Sequence, residues 1–139
     1  MEATNTEFSA FLKQREAASL DYVRGRAEPF MKLVSYEHDA SYFPPIGGYT
    51  KGTLEVARKY ENDAATFGAE TRSSRFEVFH AYADDELGYW TGLQHAEVKM
   101  RGRDALVPMK LRVTEVFRKD GGEWRIIHRH ADMLSDRQN

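Results

Sequence analysis

The residues best suited to chemistry in this chain lie close together near its C-terminal end, in residues 111–132. A turn containing two glycines, Asp120-Gly121-Gly122, divides this segment, and such a turn favours the left-handed backbone of a tight hairpin. We therefore predict two long paired strands. Their polar side chains are those of Arg112, Thr114, Glu115, His128, His130 and Asp132.

Glu115 interrupts an otherwise apolar row on one face of the first predicted strand. The other members of the row are Met109, Leu111, Val113 and Phe117. Because successive strand residues point to opposite faces, this row favours an inward Glu115. Apolar surroundings would raise the pKa of its carboxyl and let it act as a proton donor. A second interpretation stays open, in which the row is the outer face and Glu115 meets a basic residue across an interface.

Two histidines, His128 and His130, occupy every second position of the last predicted strand together with Trp124, Ile126 and Asp132. A regular strand would point all five side chains to the same face. Histidine titrates near neutral pH, so the pair predicts a polar patch in a pocket, with either ring able to act as acid or base. The alternative is that one ring packs against a carbonyl and the other is partly exposed. Same-face residues of one strand lie along a line and rarely converge on one ion, so we predict no metal site.

The side chains of Arg112 and Thr114 point to the opposite face from Glu115, so only one of the two sets faces inward. A single bulge would exchange them. Aromatic residues are plentiful, and those predicted to help line a binding pocket are Tyr42, Tyr49, Tyr60 and Trp90.

The elements that must position these residues are helices first and strands second. Apolar spacing predicts a helix ending near Gly25, then helices over residues 27–34 and 53–65. Strands are predicted over residues 38–43, 72–83, 87–100, 106–118 and 123–133. This order is typical of an α+β fold, in which a curved, mainly antiparallel sheet and three helices enclose a pocket. Several strands are apolar on both faces, which favours a symmetric homodimer.

Composition limits the classes of partner. The chain has 139 residues, enough for a single domain over residues 1–139, and its net charge of -2 does not favour nucleic acid. There is no cysteine, which excludes disulfides and thiol catalysis. The N-terminal residues do not resemble a signal peptide, and no apolar run is long enough to span a membrane. We therefore expect a cytoplasmic protein that does not bind membranes.

Three segments carry a resemblance to a known superfamily: YFPPIGGYTKG, LGYWTGLQHAEV and LRVTEVFRKDGGEWRIIHRHAD. With the order of elements, they resemble the SnoaL-like and ketosteroid-isomerase-like families of the nuclear-transport-factor-2-like superfamily. The last segment also resembles the end of the association domain of calmodulin-dependent kinase II. The resemblance implies a cone-shaped fold over nearly the whole chain. The superfamily includes enzymes and plain binding modules, so it does not imply one activity.

The resemblance also implies roles for particular positions. Ketosteroid isomerase uses an Asp base, with a Tyr and a protonated Asp binding the oxyanion. Here Phe43 or Pro44 stands near the position of the base, and neither accepts a proton, whereas Glu115 falls near the oxyanion-binding Asp. In the kinase-association relatives, arginines on these strands hold a carboxylate, which would make Arg112 an anion clamp. The alternative is a solvated or dimer-edge arginine.

The sequence thus predicts a small-molecule-binding protein for an apolar or aromatic ligand. It leaves open whether the protein is a cofactor-independent isomerase, cyclase or hydrolase, or a non-catalytic binding or oligomerisation module. The residues predicted to transfer protons are Glu115, His128 and His130. Those predicted to contact the ligand are Tyr42, Tyr49, Tyr60, Trp90, Arg112, Thr114 and Asp132. We predict no cofactor.

Overall fold

A computed structural model describes residues 5–135 of the chain. The helices are α1 (Thr6–Tyr22), α2 (Glu28–Met31) and α3 (Thr53–Ala64). The strands are β1 (Ser41–Phe43), β2 (Thr50–Lys51), β3 (Ser73–Ala83), β4 (Leu87–Lys99), β5 (Leu106–Asp120) and β6 (Glu123–Met133). The predicted α+β class, with helices packed on a curved sheet, is confirmed.

The six strands form one unclosed sheet in the order β2-β1-β6-β5-β4-β3. The four long strands pair antiparallel in sequence order, and β1 pairs parallel to β6. The predicted hairpin turn is present, with positive φ at Gly121 (59°) and Gly122 (88°), a backbone region that glycine adopts without strain. This turn sets the pairing of β5 with β6.

A bulge in β6 reverses the alternation of its side chains. Phe117 pairs with Ile126 and Val116 pairs with His128, so Ile127 has no partner on β5. Trp124 and Ile126 are buried before this point, whereas the buried residues after it are Arg129 and Ala131. The bulge therefore turns the odd-numbered residues of the second half of β6 towards the helices.

The bulge lies where β6 changes its partner on the other side. Before it, the Ile126 amide donates to the Leu33 carbonyl at 2.7 Å, and the Ser35 amide donates to the Ile126 carbonyl at 3.0 Å. After it, His128 to His130 pair with β1. The same contacts explain why α2 ends at Met31 and not near residue 34, because the following residues leave the helix to bond with β6.

The helices cover the inner face of the sheet, where α1 supplies much of the core. Phe8 and Phe11 pack edge-on against Phe117, with ring centroids 5.8 and 5.0 Å apart, and Phe8 also packs edge-on against Trp124 at 5.0 Å. These aromatic contacts fix the first half of α1 on β5 and β6. One face of the second half of α1 is buried too, and it carries the charged residue Arg15.

Candidate functional site

Four neighbouring residues form a row across the inner face of the sheet. Trp90 pairs with Glu115, Glu115 pairs with Arg129, and Arg129 pairs with Tyr42 of β1. All four side chains are buried, and Glu115 is 0% exposed. Arg15 reaches this row from α1, so strand register and one helix together build the cluster.

Glu115 accepts four hydrogen bonds in this row. Arg15 donates from Nε to Oε1 at 2.9 Å and from Nη2 to Oε2 at 2.7 Å, a bidentate arrangement. The Trp90 indole donates to Oε1 at 2.8 Å, and Arg129 Nη1 donates to Oε2. A carboxylate offers about four acceptor positions, so these donors saturate it. We name Arg15, Glu115 and Arg129 the arginine–glutamate cluster.

The ionisation of Glu115 follows from these partners. Burial alone would raise the pKa of its carboxyl, but the charges of Arg15 and Arg129 outweigh burial and lower the pKa to about 2. Glu115 is therefore a carboxylate at neutral pH. The predicted raised pKa and proton-donor role are wrong, because alternation within one strand does not report which cations reach it from other elements.

A cavity of about 390 Å³ lies between the helices and the sheet, next to the cluster. Much of its wall is apolar or aromatic, including Phe30, Tyr60, Phe67, Met100, Met109 and Leu111. Arg15, Arg129, Gln94 and Asp63 also line it, and Gln94 accepts from Arg129 Nη2 at 2.8 Å. This combination of apolar wall and a few polar groups is typical of a small-molecule site.

The two arginines give the inner end of the cavity an excess of one positive charge, because they share a single carboxylate. Arg15 Nη1 is buried and has no hydrogen-bonding partner among the described residues. The guanidinium of Arg15 also lies 4.4 Å from the ring centroid of Phe30, a cation–π contact that helps hold it. The inner end can therefore donate hydrogen bonds to an anionic group.

Tyr42 links the cluster to the outer part of the cavity. Its hydroxyl donates to Asp63 Oδ2 at 3.3 Å, and its neighbour on β6 is Arg129. Burial raises the pKa of Tyr42 to about 12, which keeps the hydroxyl protonated at neutral pH. Tyr60, also predicted to contact the ligand, lines the same cavity.

Both predicted catalytic histidines lie on the outer face of the sheet, as does Asp132. The bulge at Ile127 places them there, away from the cavity between the helices and the sheet, and His130 instead lines an open pocket on the outer face with Arg112, Thr114 and Asp132. His128 Nδ1 lies 2.7 Å from the Ser41 hydroxyl, and burial and the neighbouring His130 lower the pKa of its ring. Among the described residues, no histidine lines the cavity.

The remaining predicted ligand contacts also lie outside the cavity. Arg112 pairs with Asp132 on the outer face, with Nε and Oδ1 2.7 Å apart, and Thr114 bonds to the Thr91 hydroxyl at 2.7 Å. Tyr49 is 70% exposed. Trp90 is buried and contacts Glu115 without lining the cavity.

The three charged residues among the described cavity-lining residues, Arg15, Asp63 and Arg129, were not predicted from the sequence. Arg15 follows Phe8 by seven positions and Phe11 by four, so its place on the apolar face of α1 was a readable signal. Asp63 follows Tyr60 by three positions on α3, which also puts it on the buried side. Arg129 had no such signal, because its inward position depends on the bulge.

Residues 5–135 contain neither a metal-binding cluster nor a helix that could span a membrane. No cluster of three His, Asp or Glu side chains in this part of the chain has the geometry to hold a metal ion. No helix there has the length and apolar character to cross a membrane.

Solved structures, two of them described as nuclear-transport-factor-2 (NTF2)-like, share this fold at low sequence identity. A candidate dehydratase of the NTF2-like family from Streptomyces avermitilis is 18% identical, with a TM-score of 0.73 over 96% of this chain and 99% of that one. A candidate calcium/calmodulin-dependent kinase II association domain from Exiguobacterium sibiricum is 14% identical, with a TM-score of 0.72 over 99% and 98%. An NTF2-like superfamily protein from Salmonella enterica is 15% identical, with a TM-score of 0.71 over 94% and 91%.

At this level of identity the structural matches establish the fold and not an activity. Among curated proteins, none matches the sequence significantly. The sequence profile of the SnoaL-like domain matches residues 4–135, nearly the whole chain. The protein therefore belongs to the SnoaL-like domain family.

Proposed function

We propose that the protein binds a small, largely apolar molecule with one anionic group in the cavity between the helices and the sheet. The observation that carries this proposal is the excess positive charge of the arginine–glutamate cluster at the inner end of an apolar cavity. An unpaired charge away from water is costly, and an anionic ligand group would balance it. The apolar wall would contact the rest of the ligand.

Binding is better supported than proton transfer by the residues predicted from the sequence. Glu115 is ionised and saturated with donors, so it has neither a proton to give nor a free position to receive one. His128 and His130 lie on the other side of the sheet from the cavity. The cluster can hold and orient an anion, which is a binding role.

Calorimetric titration with phenylpropionate and its neutral amide, phenylpropionamide, tests the proposal. We expect the carboxylate to bind at least about tenfold more tightly than the amide, because only the carboxylate balances the excess charge. Arg129→Met should abolish this preference while leaving the neutral, doubly hydrogen-bonded pair of Arg15 and Glu115 in place.

The matched control is Arg112→Met, which removes an exposed arginine from the outer face. This variant should bind both probes as the wild type does. The proposal fails if neither probe binds, if the amide binds as tightly as the carboxylate, or if Arg112→Met weakens binding as much as Arg129→Met does.

A second candidate function, homodimer formation, rests on a different surface. The outer face of the sheet and its edges expose several large apolar side chains, among them Phe43 (39%), Phe79 (60%), Tyr82 (54%) and Leu87 (46%). Exposed apolar side chains grouped on one face often mark a protein interface. We propose that a second copy of the chain covers this face, as expected from strands that are apolar on both sides.

Light scattering coupled to size exclusion tests the dimer at micromolar concentration. The wild type should elute with twice the mass of one chain. Val116 pairs with Tyr89 and His128 on the outer face, so Val116→Lys places a charge amid this surface and should give a monomer. A monomeric wild type would refute the proposed dimer without affecting the proposed ligand.

A further inference from the structure

The outer part of the cavity has a polarity opposite to that of its inner end. Asp63 is the one carboxylate among the described residues that line the cavity. It lies near the end of α3, where the Thr66 hydroxyl donates to its main-chain carbonyl at 2.6 Å. Arg15 and Arg129 offer only donors at the inner end, whereas the Asp63 side chain offers only acceptors.

The Asp63 carboxylate retains acceptor capacity beside the cavity. Lys59 Nζ lies 3.0 Å from Oδ1, and the Tyr42 hydroxyl donates to Oδ2 at 3.3 Å. Two of about four acceptor positions are thus used, in contrast to the saturated Glu115. Its side chain is 27% exposed, so a donor approaching from the cavity can reach it.

The exposure of the lining residues distinguishes the inner end of the cavity from its mouth. Arg15 and Arg129 are 3% and 8% exposed, so they mark its inner end. Ile46 and Met133 also line it, and they are 85% and 52% exposed, so they mark its mouth. Asp63 has intermediate exposure, so it lies between the inner end and the mouth, and apolar residues contribute much of the remaining wall.

We propose that the ligand of this cavity carries a hydrogen-bond donor, such as a hydroxyl or an amine, in addition to its anionic group, and that Asp63 accepts that bond. This inference rests on the proposed binding of an anion at the arginine–glutamate cluster. The substrate class is then a small, largely apolar hydroxy or amino acid. A second anionic group in place of the donor is disfavoured, because its charge would meet the Asp63 carboxylate.

Four probes with the same apolar body test the inference by calorimetric titration. They are phenylpropionate and its para-hydroxy, para-amino and para-carboxy derivatives. For the wild type, the hydroxy and amino probes should bind about fivefold more tightly than phenylpropionate, because each adds a hydrogen bond to a charged acceptor. The para-carboxy probe should bind most weakly.

The variants Asp63→Ala and Asp63→Asn test whether the Asp63 side chain causes the tighter binding of the hydroxy and amino probes. Both should still bind phenylpropionate, because the arginine–glutamate cluster is unchanged. Asp63→Ala should bind the hydroxy and amino probes no more tightly than phenylpropionate. Both variants should bind the para-carboxy probe more tightly than the wild type does. Tyr42→Phe should keep the donor preference, since it removes a competing donor from Asp63. Glu61→Gln, on the same helix but outside the cavity, is the matched control.

The outcomes separate this inference from the function on which it rests. If phenylpropionate does not bind the wild type, both the anion site and this inference are overturned. If it binds but the four probes do not differ in the stated order, or if Asp63→Ala keeps the wild-type order, the inference alone is overturned. Thermal unfolding of each variant checks that a lost preference does not come from a lost fold.

Discussion

Replacing Glu115 by glutamine is the sharpest test of the arginine–glutamate cluster. Glutamine has nearly the shape of glutamate, so Glu115→Gln removes the charge without opening a cavity. It leaves Arg15 and Arg129 as two buried cations without a counter-charge, and it places an amide nitrogen against groups that only donate. Removing one member of a buried ion pair typically costs about 3–5 kcal/mol.

The pKa of Glu115 gives an independent estimate of the same loss. Lowering a carboxyl pKa from 4.5 to about 2 corresponds to about 3 kcal/mol of stability at neutral pH. The side chain is 0% exposed, so solvent screening does not reduce this figure. Both routes therefore predict a loss of about 3 kcal/mol or more at pH 7, a large share of the stability of a small domain.

The same values predict how the loss depends on pH. The folded-state pKa lies below the unfolded-state pKa, so the contribution is complete well above pH 4.5 and is lost as the pH falls towards 2. At pH 3 about 1.4 kcal/mol of it remains. The difference in unfolding free energy between wild type and Glu115→Gln should therefore narrow by about 2 kcal/mol between pH 7 and pH 3.

Urea unfolding followed by tryptophan fluorescence measures both quantities. The matched control is Glu123→Gln on the same hairpin, because Glu123 pairs with Arg125 at 3.0 Å but its side chain is 70% exposed. Exposed pairs contribute about 0–1 kcal/mol, so this variant should unfold almost as the wild type does. A loss below about 1 kcal/mol for Glu115→Gln, or a loss that does not change with pH, would refute the reasoning.

Three further predictions concern other parts of the sheet. The double variant His128→Ala and His130→Ala should bind phenylpropionate within about twofold of the wild type in calorimetric titration, because neither ring lines the cavity. Gly92→Ala should lower the unfolding free energy by about 2 kcal/mol in urea, since a Cβ there would lie 2.0 Å from the Glu77 carbonyl oxygen. Trp90→Phe should cost about 2 kcal/mol in the same assay by removing the indole bond to the buried carboxylate.

Much of the fold was predictable because its signals are local. Strand alternation, the glycine turn at residues 121–122 and helical spacing each depend on neighbours in the sequence, and they located the four long strands and three helices. The inward position of Glu115 was one of two open alternatives, and its apolar row favoured it. Strand β2 was not predicted, because a two-residue strand has too little pattern to read.

The candidate site was less predictable because it depends on contacts between distant residues. The pKa of Glu115 is set by Arg15, which is 100 positions away in the sequence. The side of the sheet on which the histidines lie is set by a bulge where β6 changes partner from residues 33–35 to β1. Alternation within β6 alone gives the opposite answer for every residue after Ile127.

The charge count of the cluster links its energetics to its function. Replacing a buried ion network by apolar residues of similar volume is often neutral or stabilising, so stability alone is a weak reason for a fold to keep one. A purely structural network also needs no surplus charge, whereas this one has two arginines for one glutamate and an unpaired Arg15 Nη1. That surplus lies beside an apolar cavity, where water balances it poorly. This surplus is the charge that the proposed anionic ligand would balance.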